Sequence, residues 1–205
     1  MKKWLVILLY YLLISCTGQE KSKTIPTENI KKKKIMTTEK FDIATFEENK
    51  VDGEYNFITE KDSKVRQLND AVSYSEYITP PPPNYFETYN EYFVTGELKS
   101  KLISFPNNFL KHYWIYNIKG ELIDETDHDI PYKFTFEQLV KLIENENDDI
   151  DILDKKNTTI GRKSDEDGTF WFVRYKKVPM RREVIKVDGL SGEILERSFY
   201  PHVDN

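Results

Sequence analysis

The chain has 205 residues, a formal net charge of −5 and a single cysteine. That length accommodates one medium domain or two small ones, the acidic balance argues against wholesale nucleic-acid binding, and one sulfur leaves nothing for a disulfide or a thiolate zinc site. Aromatic residues make up 14% of the chain, with 13 tyrosines and 12 phenylalanines, which suits β-structure better than a helix bundle.

Residues 1–16 read MKKWLVILLYYLLISC. Two lysines precede an unbroken apolar run over residues 4–14, too short to span a bilayer. The run ends in Leu13-Ile14-Ser15-Cys16, which resembles the lipobox of bacterial diacylglyceryl-modified proteins. The resemblance implies a signal peptide over residues 1–15, a mature chain starting at a lipidated Cys16, and a lipid-anchored address in the bacterial cell envelope, expected at the outer membrane. The membrane is then one partner, reached through the anchor. Residues 16–40 are polar and rich in lysine, with Lys31-Lys32-Lys33-Lys34 in series and no apolar periodicity, so a flexible tether is expected there.

Folded structure is expected from Phe41 onward. Residues 41–46 carry a short helix start, and residues 53–59, 65–68 and 72–78 alternate as strands do. Pro80-Pro81-Pro82-Pro83 offers no amide to a ladder and predicts an extended connection.

An internal repeat follows. Tyr89-x-x-Tyr92-x-x-x-Gly96-Glu97-Leu98 recurs 24 residues on as Tyr113-x-x-Tyr116-x-x-x-Gly120-Glu121-Leu122. Each copy predicts a hairpin in which Gly96 or Gly120 takes the positive φ of a tight turn, and repeats of this kind stack into a meander. The tyrosine-rich strand, the Gly-Glu-Leu turn and the polar second strand resemble MORN-type hairpin repeats, in particular the variant of antitoxin-like proteins of the YwqK type. That resemblance implies a binding or scaffolding surface without catalytic machinery over residues 41–131.

Beyond Pro131 the period changes. Thr135 and Gln138 form a capping box, Phe134 and Leu139 a hydrophobic staple, and Phe136, Leu139, Val140 and Ile143 one apolar stripe, which predicts a helix over residues 136–146 broken by Asn147-Asp148-Asp149. Residues 170–175 predict a buried strand, and residues 184–195 a closing hairpin with Gly192 in its turn. A helix followed by antiparallel strands ending in Val187-Asp188-x-x-Ser191-Gly192-Glu193-Ile194 is similar to PepSY-like domains over residues 132–205. The whole is expected to be α+β, an antiparallel meander of MORN-like hairpins followed by a helix on a small antiparallel sheet.

Signals for chemistry are sparse. Asp124-Glu125-Thr126-Asp127-His128-Asp129 gathers carboxylates around a histidine, but strand alternation turns half of them away from any common ion. The turn Asp165-Glu166-Asp167-Gly168 lacks the downstream glutamate of a calcium loop. No nucleophile elbow or glycine-rich phosphate loop is present. No catalytic residue, cofactor or metal is therefore expected. The expected activity is capture of a protein or peptide by a lipid-anchored module, with an immunity protein as the specific case and a structural or assembly lipoprotein as the alternative. The candidate binding residues are Tyr89, Tyr92, Tyr113 and Tyr116, because tyrosine combines contact area with a polar tip.

Overall fold

In the computed structural model, residues 35–106, 109–146 and 150–203 are described. The segment expected to be a signal peptide, Cys16, the lysine run 31–34 and residues 147–149 lie outside these residues. The first helix among the described residues is α1 (Ile43–Asn49), capped by Asp42, whose carboxylate accepts the Thr45 amide at 3.0 Å. Seven strands follow in series: β1 (Glu54–Ile58), β2 (Lys64–Asn69), β3 (Ser73–Thr79), β4 (Glu87–Phe93), β5 (Leu98–Phe105), β6 (Phe109–Tyr116) and β7 (Leu122–Asp127). They pair antiparallel in chain order, so the sheet is an uninterrupted meander. Between β3 and β4 the proline segment bends where an extended run is predicted. Asn84 N–H donates to the Pro81 carbonyl and closes a turn there, and the Pro82–Pro83 peptide is cis.

The 24-residue repeat is reproduced down to its irregularities. Glu91 pairs with Ser100 but Tyr92 pairs with Leu98, leaving Lys99 as an extra residue; Ile115 pairs with Asp124 but Tyr116 with Leu122, leaving Ile123 extra. Gly96 and Gly120 hold φ of +92° and +75°. Their amides donate to Phe93 and Asn117 carbonyls at the same distance, 2.8 Å. The β1–β2 turn is built alike with Asp62 at φ +60°, one of the few residue types that tolerates this region.

Residues 35–40, expected to belong to a flexible tether, are instead bonded to the sheet. Residues 35–41 form a strap across the two repeat turns. Thr37 N–H donates to Gly120 O at 2.9 Å and Phe41 N–H to Gly96 O at 2.8 Å, while Leu122 N–H and Leu98 N–H donate to Ile35 O and Glu39 O. Four residues of strap thus match each 24 residues of repeat. Phe41 and, behind it, Phe46 of α1 then pack with Tyr74, Tyr92 and Leu98 as a small core.

After β7 come α2 (Phe136–Glu144), β8 (Thr158–Asp165), β9 (Gly168–Val178), β10 (Arg181–Asp188) and β11 (Ile194–Pro201), the strands forming a second antiparallel sheet ordered β11-β10-β9-β8. The capping box on α2 has both its bonds. Phe136, Leu139, Val140 and Ile143 face Ile160, Trp171, Val173, Ile185 and Val187 in the larger core. Gly192, at φ +79°, is required here because a β-carbon would stand 2.3 Å from the Phe134 ring. The larger core also takes Phe105 and Phe109 from the seven-stranded sheet. A division at residue 131 therefore follows the sheets, whereas the packing runs across it. Among the described residues the fold is mostly β, with one short helix against each sheet. Among the described residues no helix is long and apolar enough to cross a membrane.

Candidate functional site

Strand alternation gives the seven-stranded sheet two unlike faces. Residues three apart in a strand point opposite ways, so the four tyrosines of the repeat do not share a surface. Tyr92 and Tyr116 lie beneath the strap, Tyr92 only 2% exposed. As a binding residue Tyr92 is corrected by this burial: its ring is a core element. Tyr89 and Tyr113 lie on the opposite face.

On that opposite face the register sets Tyr77, Tyr89, Leu102 and Tyr113 side by side on β3, β4, β5 and β6. Tyr77 is 44% exposed and its ring centroid lies 4.8 Å from that of Tyr89. Burial first, and the nearby Tyr77 and Glu91 second, push the Tyr89 hydroxyl above the ordinary tyrosine range, so it keeps its proton to donate. Tyr77 is the member that the sequence pattern missed, because β3 lies outside the 24-residue repeat. Beside the ladder a cavity of about 360 Å³ is lined by Tyr77, Tyr89, Leu102, Ser104 and Pro106. It adjoins a second, of about 340 Å³, bounded by Lys64, Pro80, Tyr85, Glu87 and Lys155, the last two paired at 3.1 Å. Aromatic platforms running into a half-apolar cleft with a few charged groups at its end suit an extended polypeptide.

The strap face is closed by polar bonds instead. Glu39, carried in by the strap, accepts from Lys101 at 2.9 Å and from Asn90 Nδ2 at 3.1 Å, and Glu76 accepts from Gln67 at 2.7 Å and Tyr92 at 3.2 Å. Burial, then the charges of Glu76 and Glu39, raise the Tyr92 hydroxyl far above its usual range, fixing it as a donor. Asn90 Oδ1, deep in this network, has no partner among the described residues. The arrangement pins the strap and offers no entrance.

The acidic cluster at β7 is divided as alternation requires. Glu125 accepts from both Trp114 Nε1 and His112 Nε2 at 2.9 Å, and the two rings stack with centroids 3.7 Å apart. Asp124 bonds the Glu125 amide. Asp165 and Asp167 are held by Lys163 across the β8–β9 turn. Among the described residues no three His, Cys, Asp or Glu side chains are grouped to hold a metal ion. Comparison of the chain with protein-family models, curated proteins and solved structures gives no match.

Proposed function

We propose that this chain is a lipid-anchored, non-catalytic protein of the bacterial envelope that captures a protein or peptide partner on the tyrosine-bearing face of its large sheet, as an immunity protein does. The observation that carries the reading is the Tyr77–Tyr89–Leu102–Tyr113 ladder beside its cleft. Its three tyrosines are large, amphipathic side chains that cost little entropy to order at an interface. The kinship with MORN-type repeats draws support from two hairpins with the same bulge and the same glycine turn 24 residues apart. The anchor rests on the lipobox-like sequence ending in Cys16.

The test has two arms in the producing cell. A fatty-acid probe is expected to label the wild type and not Cys16→Ser; an unlabelled wild type would remove the anchor from the reading. Envelope extracts are then passed over the wild type and over a Tyr77→Ala, Tyr89→Ala, Tyr113→Ala variant of unchanged circular dichroism. Loss of a captured protein with the triple variant is expected, and equal capture by both would exclude this face.

A further inference from the structure

The tyrosine ladder lies in the interior of its sheet, and this limits what can rest on it. β3, β4, β5 and β6 each have a strand on both sides, so their main-chain amides and carbonyls are committed within the sheet and a ligand on this face cannot join it as an added strand. Only side chains can hold the ligand. Those offered are apolar surfaces and hydroxyls: Tyr77, Tyr89 and Tyr113 donate their hydroxyls to no group among the described residues. Such a face suits a ligand that brings carbonyls and few amides. Most peptide conformations bring both in equal number, and an amide covered without an acceptor is costly. A proline-rich segment avoids that cost, because proline has no N–H and a polyproline II helix makes no internal hydrogen bonds, leaving its carbonyls free to accept.

The spacing agrees. Leu102 stands between Tyr89 and Tyr113 in the register, which sets the two tyrosines two strands apart, about 9–10 Å at the usual strand separation. One turn of polyproline II advances about 9 Å in three residues. Prolines at positions i and i+3, on a segment running across the strands, therefore meet Tyr89 and Tyr113 in turn, with Leu102 as an apolar floor between them. Tyr77, its ring centroid 4.8 Å from that of Tyr89, flanks the first position. Charge sets the far end. The row continues from Tyr113 to Thr126 of β7, and Asp124 lies on the same face two residues away, opposite Ile115. Glu54, Glu87 and Glu91, the other carboxylates on this face, are paired with Arg66, Lys155 and Lys99. Asp124 accepts the Glu125 amide and has no lysine or arginine within ion-pair distance among the described residues.

We propose that the ladder recognises a proline-rich segment in the polyproline II conformation, followed by a lysine or arginine that reaches Asp124. Proline rings rest on the tyrosine faces, the tyrosine hydroxyls donate to the carbonyls between them, and the cation settles the one unpaired carboxylate of this face. The proposal rests on the capture reading above and narrows it to one class of partner. It does not depend on lipidation at Cys16.

The test follows the fluorescence anisotropy of labelled synthetic peptides mixed with the full chain: a proline-rich peptide ending in two arginines, the same peptide ending in two glutamates, and a glycine–serine peptide of equal length ending in two arginines. Saturable binding of the first is expected, roughly tenfold tighter than that of either other. Tyr89→Phe with Tyr113→Phe keeps the rings and the fold and is expected to weaken it several-fold, Tyr89→Ala with Tyr113→Ala to abolish it, and Asp124→Asn to shrink the preference for arginine over glutamate. The proposal is overturned if no proline-rich peptide binds, if the glycine–serine peptide binds as tightly, or if the tyrosine variants bind unchanged. The two readings fail separately. An envelope protein captured by the wild type and lost with the triple alanine variant, on a chain that ignores the proline-rich peptides, would keep the capture face and refute its proline specificity. Proline-rich binding that the tyrosine variants lose, with no envelope protein captured, would uphold the specificity and remove the envelope partner.

Discussion

Thr37 and Gly120 meet twice. The Thr37 amide donates to the Gly120 carbonyl at 2.9 Å, and the Thr37 carbonyl oxygen lies 2.5 Å from where a β-carbon on residue 120 would stand. Gly96 stands in the same relation to Phe41, but with 3.3 Å of clearance. The two turn glycines therefore carry two demands each, a left-handed backbone and a passage for the strap, and the second is stricter at Gly120.

Alanine at either position is expected to cost roughly 1–2 kcal/mol for the left-handed conformation alone. Gly120→Ala is expected to cost more than Gly96→Ala, because it must also push the strap away. Urea unfolding gives the costs, and hydrogen exchange at Thr37 identifies the cause. Faster exchange there in Gly120→Ala, with β2 and β3 unchanged, is the expected pattern; equal costs for the two variants would contradict the clash.

Glu97 gives the strap a pH dependence. The Thr95 hydroxyl first and Lys40 second, the latter at 3.0 Å, bring its pKa from the usual glutamate range down to about 2. A carboxylate depressed on folding favours the native state above its unfolded pKa and loses that contribution as pH falls toward the folded one. Titration by carboxyl carbon NMR is expected to place Glu97 near 2, and both Thr95→Val and Lys40→Gln are expected to raise it. A Glu97 that titrates with the exposed glutamates would refute the contact.

The continuity of the larger core is testable through Phe109, which belongs to β6 yet packs its ring 5.3 Å from Trp171 of β9 and 5.5 Å from Phe136 of α2. Phe109→Ala is expected to cost about 3–5 kcal/mol. One cooperative transition is expected in both wild type and variant, with tryptophan fluorescence and far-UV dichroism melting together. Two separated transitions would mean that the sheets unfold independently.

The sequence carried the meander, the repeat and α2 because each rests on local rules: alternation, a glycine turn and a capping box are all visible within ten residues. Phe136, Leu139, Val140 and Ile143 were legible for the same reason. The strap was not. It joins the sheet through main-chain groups of Ile35, Thr37, Glu39 and Phe41, bonds that demand no particular side chain and so leave no periodicity beside the lysine run. The ladder was half legible. Tyr89 and Tyr113 stand out in the repeat, but Tyr77 enters only through the β3–β4 register, a pairing that spans the proline turn.

Tyr89 and Tyr92 put the two faces to a direct test, since they are three residues apart on one strand. Tyr92 is packed against Phe41, with ring centroids 5.3 Å apart, and its hydroxyl is shared between Glu76 and Glu39. Its replacement by alanine empties the small core and strips the strap network of a donor, so a loss of about 3–5 kcal/mol is expected, as for other large buried aromatics. Tyr92→Phe keeps the ring and is expected to cost about 1 kcal/mol for the hydrogen bond. Tyr89→Ala loses mainly its cross-strand contact with Tyr77, a cost of at most about 1 kcal/mol. Equilibrium denaturation separates the three variants, and a Tyr89→Ala cost equal to that of Tyr92→Ala would show that the ladder face is buried like the strap face. If Tyr89→Ala is mild, the ring is retained at a position where stability does not require it, which is the property expected of a contact residue.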